Sequence, residues 1–109
     1  MDRPLAIGEI LLYEEPGNGF ITIRFDSALK GYLVHMDCKE WSLSTYKRYK
    51  KIWAVVLKNL KEAGVTKFYG TVQDKKSLKF NKMFNCKYTG RDVILENGKR
   101  AYLVQTDLI

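Results

Sequence analysis

The chain is read first through the spacing of its apolar residues. From Gly8 to Tyr13 they form a short run that stops at Glu14-Glu15-Pro16-Gly17-Asn18-Gly19, where Pro and an Asn-Gly step predict a hairpin turn. Phe20 to Asp26 then sets Ile21, Ile23 and Phe25 on one face and Thr22 and Arg24 on the other, the period of two of a half-buried strand. Gly31 to Asp37 predicts a third strand, and the short link before it makes the three an antiparallel meander.

The period changes between Thr45 and Ala63. Tyr49, Ile52, Trp53, Val56, Leu57 and Leu60 recur at spacings of three and four, which places them on one side of a helix. Ser42 or Ser44 can supply an oxygen to the free N–H groups at its start, and Gly64 stands where a left-handed stop is expected. Lys67 to Val72 predicts a strand reached by a parallel crossover. A second helix is predicted over Lys75 to Asn85, followed by strands Tyr88–Glu96 and Arg100–Asp107 around Asn97-Gly98.

Composition narrows the class. A chain of 109 residues with 46% hydrophobic and 13% aromatic side chains is expected to form one domain over residues 1–109, which excludes a two-domain enzyme and a disordered chain. No apolar run approaches the roughly 18 residues of a membrane span, so a soluble protein without a signal peptide is expected, in the cytoplasm of its cell. Nineteen Lys and Arg against twelve Asp and Glu give a net charge of +7, which favours an anionic partner: phosphate, nucleic acid or an acidic protein surface. Cys38, Cys86 and a single histidine are too few soft ligands for zinc, and two free thiols suit a reducing compartment.

The predicted order is β-β-β-α-β-α-β-β, an α+β domain with a mixed, mostly antiparallel sheet. From its second strand onward that order resembles the GNAT superfamily of N-acyltransferases, over most of the chain. In that family an Arg/Gln-x-x-Gly-x-Gly/Ala loop after the meander holds the pyrophosphate of acetyl-CoA. The matching stretch here is Lys39-Glu40-Trp41-Ser42-Leu43-Ser44, with the basic residue kept and serine at both glycine positions. The family's second signature is matched by the frame Asp74-x-x-Ser77-x-x-x-Asn81, with Asn85-Cys86 in place of its Gly-Phe. Asn81 stands where the family has a tyrosine that protonates the leaving thiolate, and an amide cannot act as that acid. The compact basic form is similar to the small GNAT-like proteins of tailed phages, including internal virion proteins, which would place the chain in host cytoplasm or virion. The family's usual first strand and helical segment find no room before Gly8.

The resemblance implies acetyl-CoA as cofactor, held by Lys39, Ser42, Ser44, Thr45, Lys47 and Arg48 around the predicted start of the long helix, where N–H groups and the dipole favour an anion. His35 and Asp37 share one face of the third strand and are the candidate bases for deprotonating an attacking amine, or else polar residues facing water. Between Trp41 and Lys61 there are six basic residues and no acidic one, and Lys47, Lys51, Lys58 and Lys61 fall in one stripe with Ala54. That stripe is either a solvated face or a surface for an anionic macromolecule. Two function classes follow: a catalytically degenerate GNAT-fold protein of the phage accessory type that binds through the basic helix face, or an acetyl-CoA-dependent N-acetyltransferase.

Overall fold

Each of the eight predicted elements forms, and most boundaries have a local cause. The computed structural model describes residues 5–108. Strands β1 (Ile10–Glu15), β2 (Gly19–Asp26) and β3 (Gly31–Cys38) lead into helix α1 (Leu43–Glu62), then β4 (Lys67–Val72), α2 (Lys75–Lys82), β5 (Lys87–Ile94) and β6 (Arg100–Asp107). They build one six-stranded sheet in the order β1-β2-β3-β4-β6-β5. Every neighbouring pair is antiparallel except β3 and β4.

The ends show why. Gly8 turns the chain at φ +79, so β1 begins at Ile10 rather than at Gly8. Pro16 and Gly17 (φ +77) occupy the centre of the first hairpin turn, closed by the Asn18 N–H on the Glu15 carbonyl at 3.0 Å. Ser42 caps α1. At its other end Gly64 is left-handed (φ +91), with Gly64 N–H on Lys61 O and Val65 N–H on Leu60 O, so two last-turn carbonyls are satisfied. Asn85 (φ +64) stops the second helix in the same way, through Cys86 N–H on Asn81 O, and the regular helix ends at Lys82, earlier than expected. β5 ends at Ile94 because the closing turn runs from Leu95 to Gly98.

The buried side of α1 is Thr45, Tyr49, Trp53, Val56 and Leu60, while Ile52 and Leu57 flank the stripe half-buried. Against it lie Ile21, Ile23, Val34, Phe68, Val72 and Val104 from the helix side of the sheet. α2 meets α1 through the rings of Phe80 and Tyr46, and the turn after it adds more: Phe84 is buried against Trp53 and Tyr46, and Lys50 Nζ donates to the Met83 carbonyl.

Two positions on β2 depart from simple alternation. Thr22, expected to face water, is 1% exposed because Glu9 reaches across to accept its hydroxyl at 2.6 Å. Phe25, expected in the core, is 58% exposed: it lies near the tip of the β2–β3 hairpin, where its ring meets the exposed ring of Tyr32 edge-on.

Candidate functional site

The sheet is split at its parallel pair. β3 and β4 share one bridged position, Leu33 with Tyr69, while β3 stays paired to β2 as far as Cys38 and β4 to β6 as far as Val72. Beyond that bridge the facing edges of β3 and β4 have no strand partner, leaving main-chain N–H and C=O groups able to bind an extended ligand. The opening is a groove of about 400 Å³. Val34 to Cys38 form one wall and Gly70 to Asp74 the other, with Trp41, Trp53, Phe80 and Phe84 on the helix side. Gly70 sits at the narrow end, where a Cβ would lie 3.3 Å from Val104 Cγ2.

The loop from β3 to α1 forms the mouth. Asn18 anchors it, accepting from Lys39 N–H on its carbonyl at 2.8 Å and from Glu40 N–H on its side chain at 3.3 Å. Ser42 Oγ accepts from Thr45 N–H at 3.1 Å and lies 3.0 Å from Thr45 Oγ1, while Tyr46 N–H bonds the Ser42 carbonyl. Leu43 and Ser44 contribute the remaining first-turn N–H groups, which carry the positive end of the helix dipole. Thr45 itself is buried.

Arg48, assigned by the sequence pattern to the same mouth, makes a bidentate ion pair with Glu15 of β1, Nε to Oε2 at 2.8 Å and Nη2 to Oε1 at 2.6 Å. That pair, helped by the Asn18 amide, holds the Glu15 carboxyl down to about 2. Lys39, Ser44 and Lys47 are exposed and remain at the loop and the first turns.

His35 and Asp37 are exposed on the sheet face turned away from α1, and both belong to the β3 wall of the groove. The His35 ring lies 5.7 Å from that of Phe20. On the opposite wall Asn81 lines the groove and donates its side-chain N–H to the Ser77 carbonyl at 2.7 Å. Asp74 caps α2, and the Ser77 N–H it accepts at 2.7 Å lowers its carboxyl pKa. Three groove features escaped the sequence pattern: Cys38, Gln73 and the aromatic floor. For Cys38 the signal available was its place as the last strand residue before the loop. Burial raises its thiol pKa, and burial likewise raises that of the neighbouring Tyr49 hydroxyl.

Lys47, Lys51, Ala54, Lys58 and Lys61 are all exposed along the side of α1 opposite the core. Among the described residues no group of three or more His, Cys, Asp or Glu could hold a metal ion, and no helix is long and apolar enough to cross a membrane.

No family model and no curated protein matches the chain. Among solved structures, the crystal structure of aminoglycoside 6'-acetyltransferase type Ii is similar with a TM-score of 0.67, over 94% of this chain and 70% of that one. The fold is GNAT-like. At 15% identity the likeness carries the architecture and not the chemistry. The groove and the start of α1 offer bare strand edges to a slender ligand that carries amides, and Leu43 and Ser44 N–H with Lys39 and Lys47 to an anion. The serine side chain at the first glycine position already occupies the Thr45 N–H, so the mouth presents fewer donors than a glycine loop would.

Proposed function

We propose that the chain is a GNAT-fold binding protein without proficient transfer chemistry, an accessory protein like the small GNAT-like phage proteins it resembles, and that it works through the outward face of α1. The observation that carries this reading is the placement of Lys47, Lys51, Lys58 and Lys61. They are exposed on one side of a helix whose other side is core, and none forms an ion pair with an acidic residue among those described. Like charges held together cost some folding stability, which an anionic partner offsets on binding. Asn81 in the groove agrees with lost catalysis, since its amide cannot deliver a proton to a thiolate.

Incubating the purified chain with acetyl-CoA and a panel of amines, and following thiol release, tests the reading. The expected result is no turnover; rates near the enzyme median of about 10 per second would overturn it.

A second reading, an acetyl-CoA-dependent N-acetyltransferase acting on an amine, is favoured by the groove between β3 and β4. The cofactor would supply an acyl thioester there. Lys39, Lys47 and the Leu43 and Ser44 N–H groups would bind its phosphates, and His35 or Asp37 would take the proton from the attacking ammonium. Calorimetric binding of acetyl-CoA with measurable amine acetylation would support it, whereas binding without turnover favours the first reading.

A further inference from the structure

We infer that the outward face of α1 binds the phosphate backbone of a nucleic-acid duplex without reading its sequence; this rests on the reading of that face as the working surface and names its partner. The fold sorts the cations of α1 into two groups. Arg48 is spent on Glu15, and Lys50 Nζ on the Met83 carbonyl, with its ammonium 5.6 Å from the centre of the Phe84 ring. Lys47, Lys51, Lys58 and Lys61 are left pointing outward, and the only acidic residue of α1 is Glu62 in its last turn. α2, which meets α1 through the rings of Phe80 and Tyr46, adds four further exposed lysines.

Geometry and residue type favour phosphate over a protein surface. At 1.5 Å per residue the row from Lys47 to Lys61 is a straight line of about 21 Å. A duplex offers about one charge per 1.7 Å of its axis, so a row of that length faces the field of about twelve phosphates, which the flexible lysine stems can reach across. Protein interfaces gather their energy on buried Trp, Tyr and Arg anchors and are depleted of Lys, yet the centre of this stripe is Ala54 and no aromatic residue is exposed on it. The stripe carries no Arg, Asn or Gln, the side chains whose planar forks pair with base edges, and its polar residues are lysines, which act on phosphate as point charges.

The test is fluorescence anisotropy of the full chain with a labelled mixed-sequence DNA duplex, and with its RNA counterpart, at stepped salt. Four phosphate contacts predict a log–log salt slope near about −3.6 on duplex DNA and a loss of about a hundredfold in affinity between about 50 and 200 mM salt. Scrambling the sequence should leave Kd unchanged within about twofold. The Lys51→Glu/Lys58→Glu variant, with a melting temperature equal to wild type, should bind at least about tenfold more weakly with a slope smaller by about 2. The stronger of the DNA and RNA arms names the form of nucleic acid. A wild-type chain that ignores both duplexes but is retained on poly-glutamate, with retention lost in the double variant, overturns the nucleic-acid assignment and leaves the face as a binding surface. A wild type that binds neither polyanion, or a double variant that binds duplex as wild type does, overturns both.

Discussion

Trp53 of α1 donates its indole N–H to the main-chain oxygen of Phe84 at 2.8 Å, tying the long helix to the end of the short one. Trp53 is 4% exposed and its ring also meets Phe68 edge-on at 5.7 Å. Trp53→Ala therefore loses a large core side chain and leaves the buried Phe84 carbonyl with only the weak Cys86 thiol donor at 3.6 Å, and should cost about 3 to 5 kcal/mol. Trp53→Phe keeps most of the ring contact and should lose only about 1 to 2 kcal/mol. Urea denaturation of both variants checks the order, and a loss below about 1 kcal/mol for the alanine variant would contradict the packing described.

The Arg48–Glu15 pair makes part of the stability dependent on pH. The Glu15 carboxyl titrates near about 2 in the folded chain, below the ordinary value of about 4.3 for an unfolded Glu. Its contribution is therefore fully present above the unfolded pKa and disappears as pH falls through that value toward about 2. Replacing it as Glu15→Gln should flatten the fall in urea midpoint across that window. An unchanged slope would mean that the pair does not persist in solution.

Gly19 is needed for close approach rather than for an unusual backbone angle. A Cβ there would stand 2.6 Å from the Tyr49 hydroxyl and would collide with the Asp37 carbonyl. Gly19→Ala is expected to destabilise the chain by about 1 to 3 kcal/mol, with a partial recovery in the Gly19→Ala/Tyr49→Phe double variant, which removes the hydroxyl. Thermal melts of the three proteins would show whether that recovery occurs.

Asn85, at φ +64, takes the left-handed position that ends the second helix. Glycine adopts that angle without strain, so Asn85→Gly should leave the melting temperature equal or higher. A β-branched residue cannot do so cheaply, and Asn85→Val should cost about 1 to 2 kcal/mol. Equal stability of the two variants would show that the stop does not depend on this residue.

What the amino-acid sequence determined by itself was everything governed by neighbours within a turn or two. The order of eight elements follows from period two giving way to period three to four, and the ends follow from Ser42, Gly64, Asp74 and the Pro16-Gly17 turn. Tertiary structure decided what depends on residues far apart in the chain. Arg48 read as a loop cation until Glu15, on β1, came within 2.6 Å, and Thr22 read as a solvent-facing residue until Glu9 covered it. The groove was not legible because it is a gap: it exists where β3 and β4 stop pairing after Leu33 and Tyr69, and local periodicity places residues on a face without saying where two edges diverge. The basic stripe lies between these cases. Helical spacing by itself set Lys47, Lys51, Lys58 and Lys61 on one side, apart from Arg48 and Lys50, but only the packed molecule showed what those two bind, because that depends on which partners β1 and the end of α2 bring within reach.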